Sequence, residues 1–455
     1  MKKLWEKYGE VKLNKEIEAF DFGGVEAHPD NNLVLADVYG NMAQAEMLGK
    51  MGILTSSELA RAKKGLLEVI KLYKSGKFKI EAGEEDIHTK VENFLTKNCG
   101  KVGEKIHTAR SRNDQVVLDT RLYTKEKLLE AVNLVLTLCA TLVEFAKKYE
   151  FVPIPGYTHM KKAMPSSVGL WAGSFVESLF DDLRSVKLAY ELNDQSPLGS
   201  AASYGVPLPI DRKLTSDLLG FKKVQNNVLY CQNSRGKIEA AVIFSFCEIF
   251  ETLSKLAEDI LMFSAEEFGY LEVSKSFLTG SSIMPQKENF DVMEGIRGKA
   301  HLMYGYLSQT LSSISGLPSG YNKDTQVTKK LLMDAFDLVK PALTCADLTF
   351  NNLKVNKAEC IKSLTRETFA AHATYLLVQK GIPFRQAYRK VGSSLNKIPI
   401  PDPIKTIKLS DHLGGTGNLG LSNLSKNLKG ERSWWSGESN KFHKALKSLI
   451  GGESL

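Results

Sequence analysis

From Asp114 to Tyr149 the chain contains neither glycine nor proline. Nothing in that stretch lacks a backbone N–H or a Cβ, so nothing interrupts a helix. At about 1.5 Å per residue it predicts a rod roughly 50 Å long, with Leu122, Leu129, Val132, Leu136 and Phe145 among its apolar positions. Other long segments match it. Ser166 to Asn193 reads as a second helix and Lys237 to Phe268 as a third, again free of glycine and proline. Asn289 to Ser315 is a fourth, where Gly295, Gly298 and Gly305 permit close helix contacts, and Asp324 to Phe350 a fifth, with Pro341 as a candidate kink. Long helices joined by shorter loops describe a bundle. Several are apolar over more than one face, as in Ala240 to Phe250, which a helix wetted on one side is not. The bundle is therefore expected to pack against copies of itself.

The flanks look different. Leu33 to Gly49 is helical in pattern, and residues before about 35 are polar and irregular, with Gly23, Gly24 and Pro29 as breakers. Thr55 and Glu58 fit a capping box opening a helix that Gly76 ends. Beyond Asn351 the helices shorten, and residues 411–439 are rich in Gly, Ser and Asn, poor core material. Trp434 and Trp435 are candidates to pin this tail to the body. Strand-like alternation is scarce. The expected class is all-α in three domains: 1–112, mainly helical; 113–350, the long-helix bundle; and 351–455, small and helical with a Gly/Ser-rich tail.

Composition limits the function. The chain is 43% hydrophobic and 25% charged, an ordinary soluble balance. Its formal charge of +8 is spread out, with no dense basic block, so nucleic acid is not expected. The excess suits an anionic small substrate. No C-x-x-C spacing, Walker loop or G-x-G-x-x-G appears, so no metal and no cofactor is expected. The six cysteines read as reduced thiols of a cytoplasmic protein. The first ten residues lack an apolar signal core, and no apolar stretch reads as long enough to span a bilayer, so no membrane partner is expected.

Four stretches carry chemistry. Gly280-Ser281-Ser282-Ile283-Met284-Pro285-Gln286-Lys287-Glu288-Asn289 is a tightly turning loop that delivers hydroxyls, a cation and a carboxamide just before a helix. His107-Thr108-Ala109-Arg110-Ser111-Arg112-Asn113-Asp114-Gln115 crowds arginine forks, which bind carboxylates in two-point fashion, onto a helix start. Glu84-Glu85-Asp86-Ile87-His88 leads into another helix; taken alone, His88 reads as a structural or surface histidine. Gly156-Tyr157-Thr158-His159-Met160 reads as a turn bearing an imidazole that titrates near neutral pH.

The run from Ser281 to Glu294 fits S-S-x-M-P-x-K-x-N-x-x-x-x-E at every fixed position and resembles the signature of the fumarase/aspartase superfamily. The 107–115 turn resembles H-T-G-R-S-R-N-D-Q of the argininosuccinate lyase family, with Ala109 in place of the glycine. Gly156 to His159 resembles its G-Y-T-H, Pro197 to Ser200 with Ile210 to Arg212 its P-L-G-S…I-D-R, Tyr321 to Lys329 its Y-N-R-D-x-Q-x-x-K, and Gly381 to Arg385 its G-V-P-F-R. The resemblance runs from about residue 33 to about 392. It implies reversible β-elimination of argininosuccinate to arginine and fumarate by a homotetramer, with active sites shared between subunits. It implies Ser281 as the base, His159 as its acid partner and Lys287 as the cation for the developing dianion. Arg112, Asn113, Thr158, Lys287 and Asn289 would hold the succinyl carboxylates. Tyr321, Gln326 and Lys329 would serve the rest of the substrate, with Asp86 and His88 lining the same cleft.

Departures from the family pattern fall elsewhere. Its G-S-x-A-H is Gly40-Asn41-Met42-Ala43-Gln44 here, its L-Q-R-A-Q-P is Met160-Lys161-Lys162-Ala163-Met164-Pro165, and its K-K-N-P is Lys287-Glu288-Asn289-Phe290. They imply a changed pocket around the amino-acid half. A sister lyase acting on another N-succinyl amino acid, and a non-catalytic structural protein on the same scaffold, are the alternatives.

Overall fold

The computed structural model describes residues 28–81 and 84–452. The irregular start read from the sequence lies mostly outside them. Helix α1 (Val34–Lys50) packs on α2 (Ser56–Lys74). The Thr55–Glu58 capping box forms reciprocally: Glu58 N donates to Thr55 Oγ1, and Thr55 N to Glu58 Oε2. Helix α3 (Ile87–Cys99) is capped by Asp86, whose Oδ1 accepts from Thr89 N at 2.7 Å.

The long rod is α4 (Arg112–Lys148), 37 residues and so about 55 Å. Ser111 and Asp114 form a second capping box at its start. Against the expectation that no apolar stretch is long enough to span a bilayer, α4 is long and apolar enough by length and composition alone. Its most apolar window is 61% buried by its own neighbours, as in a core helix.

The turn expected around Gly156 is a β-hairpin. Strands β1 (Pro153–Thr158) and β2 (Lys161–Ser167) pair antiparallel, Thr158 opposite Lys161, with a bulge between Pro155 and Tyr157. The rest of the bundle is α5 (Val168–Asn193), α6 (Lys237–Ser264), α7 (Asp291–Ile314) and α8 (Gln326–Asn352), each packed on its neighbours. Pro341 lies inside α8. One aromatic cluster fills the core at the far end of α4: Phe145, Trp171 and Phe350 meet within 6.4 Å of one another, ring to ring.

Residues 411–439, read as poor core material, are largely helical. They contribute most of α9 (Leu421–Leu449), which lies along α4. Its buried face is Leu421, Leu424, Leu428, Trp435, Phe442, Leu446 and Leu449. Phe442 helps enclose the Lys125 ammonium, which also meets Tyr190 and Phe221 and is paired with Asp194 at 2.5 Å.

Helix directions give the bundle two ends. At the near end α4 begins, α6 begins, α7 finishes and α8 begins. There Arg121 donates to Ser234 Oγ at 2.8 Å, and Gly236 abuts Ile314 and Thr328. At the far end α4 finishes, the hairpin turns and α6 runs out against it, with Tyr157 meeting Phe263 and Phe268.

Candidate active site

The site residues expected from sequence fall into two sets, one at each end. The near-end set is rigid. Arg112, in the first turn of α4, donates to Thr89 Oγ1 at 3.0 Å and pairs with Glu85 and Asp86. Asn113 follows it, its backbone N–H donating to the capping Ser111. Asp114 Oδ2 accepts from Gly199 N and Ala201 N, tying the Pro197 loop to the start of α4. Lys329 is buried in α8 and paired with Asp30. Gln326 donates to the Tyr321 hydroxyl at 3.2 Å, and the Arg235 guanidinium lies 5.1 Å from the Tyr321 ring centre.

His88 is not on an open wall. Its residue is 2% exposed, and Nδ1 lies 2.7 Å from Asp37 Oδ1 and 3.5 Å from Asp119 Oδ2. Burial lowers its pKa. The hydrogen bond and charge of Asp37, with the charges of Asp86 and Asp119, overcome this and push it up to about 9. Burial and the Asp37 charge hold the Asp119 carboxyl well above its usual range. Three such side chains within 4.8 Å have metal-ligand spacing. In the folded chain the imidazole is engaged by both carboxylates, as a buried ion pair. His107, beside it, is pushed down to about 4 by burial, then by Arg110 and Arg112.

Asn41 and Gln44, two departures from the family pattern, are also inside. Asn41 Nδ2 donates to Asp37 Oδ2 at 2.8 Å while its Oδ1 accepts from Arg110 Nη2 at 2.7 Å. Gln44 Nε2 donates to Thr108 O at 2.7 Å. Sequence reasoning missed this shell, including Asp30, Asp37 and Asp119. For Asp37 and Asp119 the available signal was a carboxylate interrupting the buried faces of α1 and α4.

The far-end set is open to solvent. Thr158 and His159 sit at the hairpin tip, exposed. His159 and Met160 have φ of 52° and 59°, so a two-residue turn that favours Asn-Gly is built from bulkier residues. Ser281 lies on the loop before α7. Its Oγ accepts from the N–H groups of Ile283 at 3.3 Å and Met284 at 3.1 Å. Two donors on one hydroxyl oxygen favour its deprotonated form. A short ladder pairs Thr279 with Asn289 and Gly280 with Glu288, closing the loop at its base. Lys287 is exposed near the loop's end.

Helix α7 alone, 24 residues and about 36 Å, separates Ser281, Lys287 and Asn289 from the near-end set. A single chain does not bring the two sets together.

This division is what the comparisons meet. The lyase family profile matches residues 14–305. The argininosuccinate lyase of Parabacteroides distasonis is 39% identical over 450 residues, 99% of each chain. The chain belongs to the argininosuccinate lyase family. Another member, from Thermotoga neapolitana, is 40% identical over 395 residues, 87% of this chain and 98% of its own. Solved lyases outside the close family share the helical-bundle fold. An EDDS lyase in complex with formate superposes with a TM-score of 0.83 at 23% identity, covering 97% of this chain and 95% of its own. A class II fumarase from Schistosoma mansoni gives 0.67 at 18%, covering 82% and 90%. This family member is a lyase.

Proposed function

We propose that the protein cleaves argininosuccinate reversibly into arginine and fumarate, within a homotetramer whose active sites form between copies. The observation that carries the reading is the Ser281 oxygen held by two backbone N–H groups, on an exposed loop that also bears Lys287 and Asn289. Removing a hydrogen next to a carboxylate places a second negative charge on that carboxylate, so the reaction needs a strong base and a cationic, amide-lined pocket. Ser281 as alkoxide takes the hydrogen. Lys287 and Asn289 hold the resulting dianion, with Arg112, Asn113 and Thr158 on the carboxylates. The C–N bond then breaks, and His159 serves as the acid that returns a proton to the leaving nitrogen. Tyr321, Gln326 and Lys329 serve the amino-acid half.

The separation of the two sets supports assembly, because an approaching copy can supply the missing one. Helix α7 offers a face for it. A Cβ built at Gly298 meets nothing within 4 Å, and Leu302 and Leu311 on the same helix are exposed. A different N-succinyl amino acid remains the second reading, favoured by exposed Met164 on β2 where the family pattern has glutamine. Asn41 and Gln44 no longer motivate it, being occupied inside the protein.

Fumarate release from argininosuccinate, followed by absorbance, tests the first reading. Wild type should turn over and Ser281→Ala should be slower by orders of magnitude; an inactive wild type overturns the substrate assignment. Mixing refolded Ser281→Ala and Arg112→Met chains tests the shared site, since hybrids should regain activity that neither parent has. Absence of regained activity in verified hybrids removes the shared-site reading.

A further inference from the structure

The turn that leads into α4 carries a strained residue and a strap. Arg110 N donates to His107 O at 3.1 Å, closing a four-residue turn over His107–Arg110. Ala109, third in that turn, has a φ of 65°. Left-handed backbone at the third position marks the turn type that glycine or asparagine normally supplies, and an alanine there pays a steric penalty through its Cβ. The alanine escapes the penalty if the peptide between Thr108 and Ala109 flips over, giving the commoner turn in which all residues are right-handed. That flip swings the Thr108 carbonyl to the opposite side. In the structure this carbonyl is held: Gln44 Nε2 donates to it at 2.7 Å, from a side chain in a residue 1% exposed on α1.

We propose that Gln44 is a positioning residue that locks the Thr108–Ala109 peptide against this flip and so fixes where Arg112 and Asn113 emerge. The steric cost of one left-handed alanine and the worth of one buried hydrogen bond are of similar size, so the bond decides which turn forms. Asn41, one helical turn earlier on α1, straps the next residue by accepting from Arg110 Nη2 at 2.7 Å. Two departures from the family pattern, glutamine at position 44 and alanine at position 109, thereby become one device: the first residue makes the second tolerable. The inference rests on the proposed function only for the statement that Arg112 and Asn113 meet substrate.

The test is a cycle of four full-length proteins: wild type, Gln44→Met, Ala109→Gly and the double variant. Kinetics with argininosuccinate and amide exchange over residues 107–113 are measured on each. Gln44→Met should raise KM by about tenfold, the equivalent of one buried hydrogen bond, with a smaller change in kcat, and should speed exchange across the turn. Ala109→Gly alone should behave like the wild type. The double variant should recover, because glycine holds the left-handed turn without help. A double variant as impaired as Gln44→Met, or a Gln44→Met with unchanged exchange, overturns the proposal, since loss of packing alone would not be rescued at position 109. Gln44→Leu, which likewise has no donor, gives the same readout should the methionine variant fail to fold. An inactive wild type would refute the substrate assignment, whereas the exchange measurements would still decide the role of Gln44.

Discussion

The two ends of the bundle are built by opposite rules. At the near end charged groups are taken out of water and given partners: His88 has Asp37 and Asp119, Lys329 has Asp30, and Arg110 has the neutral carboxamide of Asn41. At the far end Ser281, Lys287 and His159 stand on two loop tips, and no hydrogen bond or ion pair joins them to each other. Desolvated charges are expensive unless paired, so the near end holds one geometry. Exposed loops with few anchors are free to move. In the proposed reaction the core thus presents Arg112 and Asn113, while Ser281 and His159, which would take and return the proton, are kept outside it.

The sharpest way to break this contrast is Ser281→Ala. It should lower kcat by about 10²- to 10⁴-fold, the usual worth of a positioned base, and leave the thermal midpoint unchanged. A fallen midpoint would make the loop part of the scaffold. His88→Leu should do the reverse, costing about 3–5 kcal/mol by leaving buried carboxylates unpaired, read as a lower urea midpoint. A loss within experimental error would mean the near end is not held by its charges.

The pH dependence sharpens the same point. His88 has a folded pKa raised from 6.5 to about 9. Its contribution to stability is therefore complete below pH 6.5 and is lost as pH rises through about 9. Wild type should lose stability across that window, and His88→Leu should lose less of it; parallel curves would remove the assignment. The smallest effect is expected from Thr55→Ala, distant from both ends in function. It should cost about 1 kcal/mol through the lost cap without moving KM, and a kinetic change would extend the rigid region to α2.

The rods were readable because a helix needs only the absence of breakers and a repeating apolar face. The third was expected to reach Phe268 and stops at Ser264. The hairpin was not readable: Pro153, Pro155 and Gly156 look like breakers, yet a two-stranded ladder with a bulge tolerates them at its edges. Helix α9 was hidden by Gly430, Gly437 and its serines, which lie outside its buried apolar face. In the site, residues within recognisable motifs could be named. Their partners could not, since Asp37 meets His88 across 51 residues and Asp30 meets Lys329 across 299. Such pairings are set by tertiary packing, which no local spacing encodes. Asn41 and Gln44 were assigned to the substrate pocket for the same reason, their bonds being to Arg110 and Thr108 on another element.

Two of the four tryptophans sit side by side on α9, with Trp434 and Trp435 edge to face at 4.6 Å and Trp435 5.4 Å from the Tyr190 ring. Lys187 reaches over Trp434 at 4.0 Å. Indole emission depends on what surrounds the ring, so the molecule carries its own optical probe of whether its last long helix is seated. Unseating during heating or dilution should register as a spectral shift without any added dye.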